Sequence, residues 1–340
     1  MSAPERVEIL VVGAGVLGLC VAVELAARGL RPVVVDPLEG ANASAVAAGM
    51  IAPAFEAASE DADAARAALY RLGRDLWPAF ADRAGIALAR DGARWVGPAD
   101  PLAAQMASLG FAVTPMSDGF WTPDDWRVEP ESALAAMRTF ILNRGGAIRR
   151  VQVEAVESRP SGLGVFSDVG EIETEVLILA AGWSVGRIRC PGLERLAGLI
   201  SPIKGQILRL TGELGETTRT PGGYVAPRLG GVAVGATMEP GLNDLARDPD
   251  VAKALRAVAA SASPALAGAE VVAHLAGVRG TTPDGLPLAG PSGVAGVHLA
   301  LAPRRNGWLL GPLAARTVAA GLLNEDDPAR GAFASGRFGL

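Results

Sequence analysis

The chain has 340 residues, half of them apolar and a fifth charged, with a formal net charge of −5. That length exceeds a single typical domain and points to two lobes, while the acidic balance leaves no basic footprint for nucleic acid and no polybasic anchor for an anionic membrane. Two cysteines and two histidines are too few for a disulfide framework or a metal set at ligand spacing. Cys20 reads as a small buried hydrophobe, Cys190 as structural, and His274 and His298 as satisfied core or rim residues.

The strongest signal comes first. Between Val7 and Val12 only Glu8 is polar, which suits a strand buried on both faces of a parallel sheet. Gly13, Gly15 and Gly18 follow at the spacing of a dinucleotide turn: one for the tight turn, one for close approach of a diphosphate, one for helix–strand packing. A helix over 17–28 closes at Gly29, and a second apolar strand over 32–35 ends in Asp36, where a carboxylate meets a ribose hydroxyl pair. This order marks a dinucleotide site without separating FAD from NAD. The plain alternative is a tight βα turn with no ligand. The uncharged run 9–23 is too short to span a membrane and continues into the second strand, so the chain reads as a soluble cytoplasmic protein.

Residues 42–53 are small, with a cap-like Asn42 or Ser44 and a closing Pro53, and let either a flat ligand or nothing lie against backbone. Residues 61–84 have helical spacing that Pro78 kinks or divides. A hairpin over 88–96 turns at Asp91-Gly92, and 101–109 is a short helix. Trp121 and Trp126 lie in an irregular segment. A helix over 130–144 stops at Gly145-Gly146, and strands over 147–156 and an alternating region over 164–175 lead to an all-apolar strand over 176–183 that returns to the first sheet. Residues 203–210, 224–227 and 232–237 read as an antiparallel sheet, 250–260 as a helix, 270–278 and 294–300 as strands, and 308–323 as an apolar helix that accommodates Pro312. From Asn324 the tail is polar and loosely held. The expected fold is α/β: a discontinuous Rossmann-type FAD-binding domain (1–85, 145–200 and 279–340) and a substrate domain of antiparallel sheet plus helices (86–144 and 201–278).

The flavin in that description comes from a resemblance carried by five segments. They are Gly13 to Gly18 with Asp36; Ala47-Ala48-Gly49-Met50-Ile51-Ala52-Pro53; Pro202-Ile203-Lys204-Gly205-Gln206; Tyr224-Val225-Ala226-Pro227-Arg228 with Val234-Gly235-Ala236-Thr237-Met238; and Gly277-Val278-Arg279 through Pro283-Asp284-Gly285-Leu286-Pro287 to Arg305-Asn306-Gly307. Together and in this order the chain resembles the flavoprotein amine and D-amino-acid oxidases, most closely the glycine oxidase branch that feeds thiamine biosynthesis.

The resemblance implies that Gly13, Gly15, Val16, Gly18 and Asp36 hold the ADP half of non-covalent FAD, with Val153 on the adenine side. It places Ala47, Ala48, Gly49 and Met50 along the isoalloxazine, adds Gly182, and brings Arg305, Asn306, Gly307 and Trp308 to the flavin, where a helix N-terminus favours negative charge. Arg279, also near the cofactor, would fork a substrate carboxylate, helped by Tyr224, with Met238 and Arg305 lining the pocket. Taken alone, Arg279 is a surface ion pair and Tyr224 and Met238 are packing. The implied reaction passes hydride from Cα of glycine or another small amino acid or secondary amine to flavin N5, giving an imine, then 2-oxo acid and ammonia, with molecular oxygen reduced to hydrogen peroxide. No side-chain base is then needed.

Three positions depart from the pattern. Ala302-Pro303-Arg304 replaces a run that often ends in His, Gly280 stands where proline usually follows the arginine, and Asp36 replaces Glu. The first of these alters loop shape and proton handling near the flavin. Rival readings are an FAD dehydrogenase passing electrons to a quinone, the flavin module of tRNA wobble-uridine modification, which the acidic charge and lack of a fused methyltransferase domain oppose, and an NAD-dependent dehydrogenase. Oligomeric state is left open, a homo-oligomer included.

Overall fold

The runs with no polar face become neighbours, because only a strand covered on both sides gains by being apolar throughout. In the computed structural model, which describes residues 5–38, 42–99 and 101–339, Glu5–Val12 runs parallel to Gly170–Leu179 on one side and to Val33–Asp36 on the other. Leu10, Val11, Leu177, Ile178 and Leu179 are fully buried there. Among the described residues this sheet has eight strands, in the order Val153–Arg159, Gly162–Ser167, Gly170–Leu179, Glu5–Val12, Val33–Asp36, Ala147–Arg150. Val297–Leu301 joins the far half of Gly170–Leu179 in parallel, and Leu288–Pro291 pairs antiparallel with it. The expected return of the late apolar strand to the first sheet is therefore met.

Helices Val16–Ala27 and Gly307–Leu323 cover one face and approach closely, since a Cβ on Gly311 would stand 3.0 Å from Cys20 Sγ. Pro312 sits inside the second helix and offers no N–H to the carbonyl four residues back. Trp77, fully buried, supplies it instead: its Nε1–H donates to Trp308 O at 2.8 Å.

The second sheet is mostly antiparallel. Among the described residues its nine strands run Glu239–Pro240, Ser201–Leu210, Gly231–Gly235, Gly223–Arg228, Thr217–Thr220, Ala93–Val96, Gly119–Thr122, Thr114–Met116, with Val271–Thr281 on the free edge of Ser201–Leu210. Helix Pro249–Ala262 backs it through Leu255, Val258 and Ala259. Met50–Ile51, Trp126–Val128 and Leu88–Ala89 form a third, three-stranded sheet.

Several local expectations are corrected. Leu88–Ala89 and Ala93–Val96 do not pair with each other: the first joins Trp126–Val128, the second Gly119–Thr122. Gly92, at φ +79°, lets the Trp121 ring sit where its Cβ would be, sending the chain from one sheet to another rather than back on itself. Trp121 and Trp126 are thus strand residues, not part of an irregular segment. Strands Thr217–Thr220 and Leu288–Pro291 were not anticipated. The 61–84 helix is divided as Pro78 requires, into Ala64–Asp75 and Trp77–Ala84.

The tail is docked rather than loose. Asp327 accepts from Arg316 and Thr317, Phe333 is fully buried, and Arg337 forks Asp284 at 2.8 and 3.1 Å. His274 Nε2 and His298 Nδ1 are buried without a hydrogen-bond partner, so neither ring is fully satisfied. Burial holds both imidazoles below their ordinary pKa. Cys20 and Cys190 are both buried free thiols. Among the described residues no helix is long and apolar enough to cross a membrane, and no group of three or more His, Cys, Asp or Glu gathers to hold a metal.

Candidate active site

The nucleotide end is built from missing side chains. Gly13 takes φ +116°, and a Cβ there would lie 2.4 Å from Ala180 O; on Gly18 it would lie 2.0 Å from Gly13 O. The turn therefore closes only with glycine at both places. Gly15 caps helix Val16–Ala27 without a side chain, leaving backbone N–H groups at the positive end of the helix dipole.

Ser44 takes one of those donors: Val16 N–H donates to its Oγ at 2.9 Å. Ser44 went unassigned in the sequence, where nothing in a run of small residues distinguishes a hydroxyl aimed at a helix end. Asp36 accepts from Ala14 N–H and Leu38 N–H, each at 2.7 Å, one on each oxygen. The carboxylate thus orients the turn and keeps lone pairs for a further donor. Val151 N–H donates to Asp36 O at 3.1 Å, which brings buried Val153 beside this end. Gly182, at φ +61°, opens the short 3-10 helix after Gly170–Leu179.

A cavity of about 400 Å³ adjoins this cradle. Of the residues singled out in the sequence, Ala47, Ala48, Gly49 and Met50 line it from one side. Tyr224, Met238 and Arg279 line it from the second sheet, and Arg305, Asn306 and Trp308 from the start of the last long helix. Gly13, Gly15, Val16, Gly18, Asp36, Val153, Gly182 and Gly307 are not in its lining.

The sheet wall is a row of cross-strand neighbours. Ile203 faces Arg279, Gly205 faces Gly277, Gly235 faces both Ile207 and Tyr224, and Tyr224 faces Arg219. Glycines create the room in it: a Cβ on Gly205 would be 2.2 Å from Arg279 Nη1, and one on Gly235 would be 2.6 Å from the Tyr224 hydroxyl.

Arg279 is no surface ion pair. Its Nη1 donates to Thr237 O at 3.3 Å and contacts Met238 Sδ at 3.6 Å, and among the described residues no carboxylate pairs with it. Burial lowers its pKa, opposed by Tyr224 and abetted by Arg305, yet a guanidinium stays charged. Burial raises the Tyr224 pKa, against the pull of Arg279 and Arg219, so its hydroxyl remains a donor.

Arg305 lines the cavity but is already engaged. It forms a close ion pair with Glu56 that lacks hydrogen-bond alignment, and lies 3.3 Å from Glu60. Glu56 raises its pKa above the ordinary arginine value. Burial opposes ionisation of Glu56, and Arg305 and Arg219 overcome it, holding the carboxyl below its usual range. Behind it Glu60 accepts from Tyr70 at 2.5 Å and Arg304 at 3.0 Å, and Asn306 Nδ2 donates to the Tyr70 hydroxyl at 3.1 Å. Sequence reading missed Glu56, Glu60, Tyr70 and Arg219, because polar residues on an otherwise ordinary helix or strand look like solvated surface.

The departure at residues 302–304 is accommodated. Ala302 and Arg304 take φ of +56° and +51°, Pro303 bridges Thr281, and Arg304 N–H donates to Gly280 O at 3.0 Å. Gly280, where proline was expected, sits in a tight place: a Cβ there would meet Trp183 N and Ile200 Cγ2 at 3.1 Å. Trp308 Nε1–H donates to Ser44 O at 3.2 Å, tying the last helix to the small-residue run. A Cβ on Gly307 would stand 3.1 Å from Val16 Cγ1, so two helix N-termini meet here.

A glycine cradle on a parallel sheet, beside a cavity walled in part by an antiparallel one, marks the class of nucleotide-cofactor enzymes. The family model for DAO, FAD dependent oxidoreductase, matches residues 8–320, and the chain belongs to that family: it is an FAD-dependent oxidoreductase. The chain is 30% identical to a glycine oxidase of Pseudomonas aeruginosa over 92% of its own length and 93% of that protein. It is also 30% identical to the tRNA 5-methylaminomethyl-2-thiouridine biosynthesis bifunctional protein of Maricaulis maris, over 83% of this chain but 46% of that one. Its fold superposes on an L-proline dehydrogenase from P. horikoshii with a TM-score of 0.83, at 18% identity, covering 99% of both chains.

The residues present fit FAD. The cradle at Gly13 and Gly18 is one that a Cβ would fill, and two helix N-termini converge on the space beside it. NAD is displaced as an alternative by the family match.

Proposed function

We propose that the chain oxidises the Cα–H bond of glycine or another small amino acid or secondary amine, with molecular oxygen as the final acceptor. The observation that carries this reading is Arg279: a half-buried guanidinium that has no carboxylate partner among the described residues and lines the same cavity as Ala47 to Met50. Such a fork accepts a substrate carboxylate with two parallel hydrogen bonds. Bound FAD would supply the two-electron acceptor.

The chain's own residues do the rest. Gly13, Gly15, Val16, Gly18, Asp36, Val153 and Gly182 would hold the ADP half non-covalently; Ala47 to Met50 and Arg305 to Trp308 would flank the ring. Arg279 and the Tyr224 hydroxyl would fix the carboxylate, and Met238 would limit its movement, which is worth several kcal/mol as effective concentration. No general base is assigned, and the amine would arrive neutral. Residues 1–85, 145–200 and 279–340 form the FAD-binding part of this reading, and 86–144 and 201–278 the substrate part.

A peroxide assay on the holoenzyme with glycine, sarcosine, D-alanine and D-proline tests it: peroxide in step with imine hydrolysis supports an oxidase, and no turnover of any of them overturns it. The likeness to a proline dehydrogenase in fold favours a second reading, an electron-carrier acceptor in place of oxygen. Reduced enzyme that reoxidises no faster in air than with an anaerobic dye decides for that one. The Maricaulis maris relative raises a tRNA role, which the net charge of −5 disfavours; salt-independent failure to retain tRNA on a filter closes it.

A further inference from the structure

The cavity carries more positive charge than one carboxylate uses. Arg219, Arg279 and Arg305 line it against a single acid, Glu56. Glu60 redresses this only in part, because it is shared by Arg305 at 3.3 Å, Arg304 at 3.0 Å and Arg66 at 3.6 Å.

Position matters more than the count. Arg279 and Arg219 stand at opposite ends of the row across the second sheet, on Val271–Thr281 and Thr217–Thr220. Three strands lie between, the last carrying Tyr224. Four strand spacings of about 4.8 Å therefore separate the two backbones. Two guanidinium groups rooted that far apart can meet two different groups of one ligand.

Arg219 is built to stay where it is. Its side chain is 11% exposed, its Nη2 lies 3.0 Å from Glu56 Oε1 and 3.6 Å from Met50 Sδ, and its guanidinium lies over the Phe55 ring at 4.8 Å. Its Nε is buried with no hydrogen-bond partner. Glu56 is shared between Arg219 and Arg305, so one carboxylate answers two guanidinium groups. A buried guanidinium N–H left without an acceptor is costly unless a ligand meets it.

We propose that the site takes amino acids bearing a second acidic group, the α-carboxylate on Arg279 and the distal anion on Arg219. This rests on the amino-acid reading of Arg279 above and specifies its substrate class.

Acid and amide pairs of one shape test it on the holoenzyme: iminodiacetate against its monoamide, and N-(2-carboxyethyl)glycine against N-(2-carbamoylethyl)glycine. The acid should be favoured in kcat/KM by at least about tenfold in one pair, the step expected of a charge-assisted hydrogen bond. Calorimetric titration with thiodiglycolate against methylthioacetate, neither of which has an amine to oxidise, should show the same preference in Kd. Arg219→Met should bring both ratios to within about a factor of two of unity, and Arg219→Lys should retain part of the preference.

Ratios at or below one in the wild type overturn the proposal, as does a preference that survives in folded, flavin-loaded Arg219→Met. Should Arg219→Met not fold, the wild-type ratios and Arg219→Lys decide. Turnover of glycine or sarcosine without acid preference sinks this inference and leaves the oxidase reading standing. Arg219-dependent thiodiglycolate binding without any amine turnover does the reverse.

Discussion

The Arg279 guanidinium lies across the bare backbone of Gly205, on the strand beside its own, at a place where a Cβ would stand 2.2 Å from Nη1 and 2.4 Å from Nη2. The glycine is thus as much part of the site as the arginine. Gly205→Ala should displace the fork while leaving the strand paired. Since a shift of about 1 Å can cost roughly 10²-fold, kcat/KM for the preferred amine should fall by about that factor with the flavin spectrum unchanged. An alanine variant with wild-type kinetics would remove Arg279 from the carboxylate's place.

Arg279 itself offers a sharper comparison. Arg279→Ala should raise KM by about 10²- to 10³-fold, the loss expected when one partner of a desolvated ion pair is removed. Arg279→Lys should recover little, because an ammonium lacks the planar fork. Flavin content should stay at one per chain in both variants. Recovery by lysine to near wild type would mean that charge, not geometry, holds the substrate.

At the other end of the site, Gly18→Ala would push a Cβ to within 2.0 Å of Gly13 O. No rotamer relieves a backbone contact, so the turn must open and the helix must draw away. The variant should purify colourless or lose flavin on dilution while the wild type retains it, measured by absorbance after gel filtration. A fully yellow Gly18→Ala protein would show that the cradle tolerates the side chain and is not a close diphosphate seat.

What the sequence made legible follows from what each residue does. Gly18 and Asp36 act through neighbours close in sequence, Gly13 O and the Ala14 and Leu38 N–H groups, and the glycine spacing exposes Gly13 with them although its own close neighbour, Ala180, lies far along the chain. Glu56 and Glu60 lie on a seven-residue helix, Pro53–Ser59, and its end, and gain meaning only when Arg219, Arg304 and Arg305 arrive from more than 150 residues away. The expected hairpin over 88–96 failed for the same reason, since the Trp121 ring packed over Gly92 comes from another strand. Tail docking through Asp284 and Arg337 likewise pairs charges that composition alone reads as solvated.

Asp125 predicts a pH dependence of stability. It is buried and caps helix Pro53–Ser59, accepting from Ala54 N–H at 2.8 Å and Phe55 N–H at 3.4 Å. Burial pushes its carboxyl up to about 7 from 3.8, against Arg219 and the Ala54 N–H. Between about pH 4 and 7 the folded chain then holds a proton that the unfolded chain has released, so stability falls as pH rises through this window and levels off above it. In Asp125→Asn that decline should vanish, so that the wild type's advantage over the variant is greater near pH 4.5 than near pH 8 in denaturant titrations. An advantage that grows with pH would show that the carboxylate, not the acid, is the buried form.

The indole of Trp77 completes a helix that Pro312 would leave one donor short. Because Pro312 has no N–H for the carbonyl of Trp308, that oxygen depends on Trp77 Nε1–H at 2.8 Å, in a core where Trp77 is fully buried. Trp77→Phe should cost about 1–3 kcal/mol for the orphaned carbonyl, in addition to the packing lost with the smaller ring. Pro312→Ala restores a backbone donor to the same oxygen, so it should stabilise the Trp77→Phe protein by more than it changes the wild type. That excess is the coupling energy of the double-mutant cycle, read from thermal or denaturant midpoints. If the effects of the two substitutions simply add, the carbonyl does not depend on the indole, and the proline is tolerated for another reason.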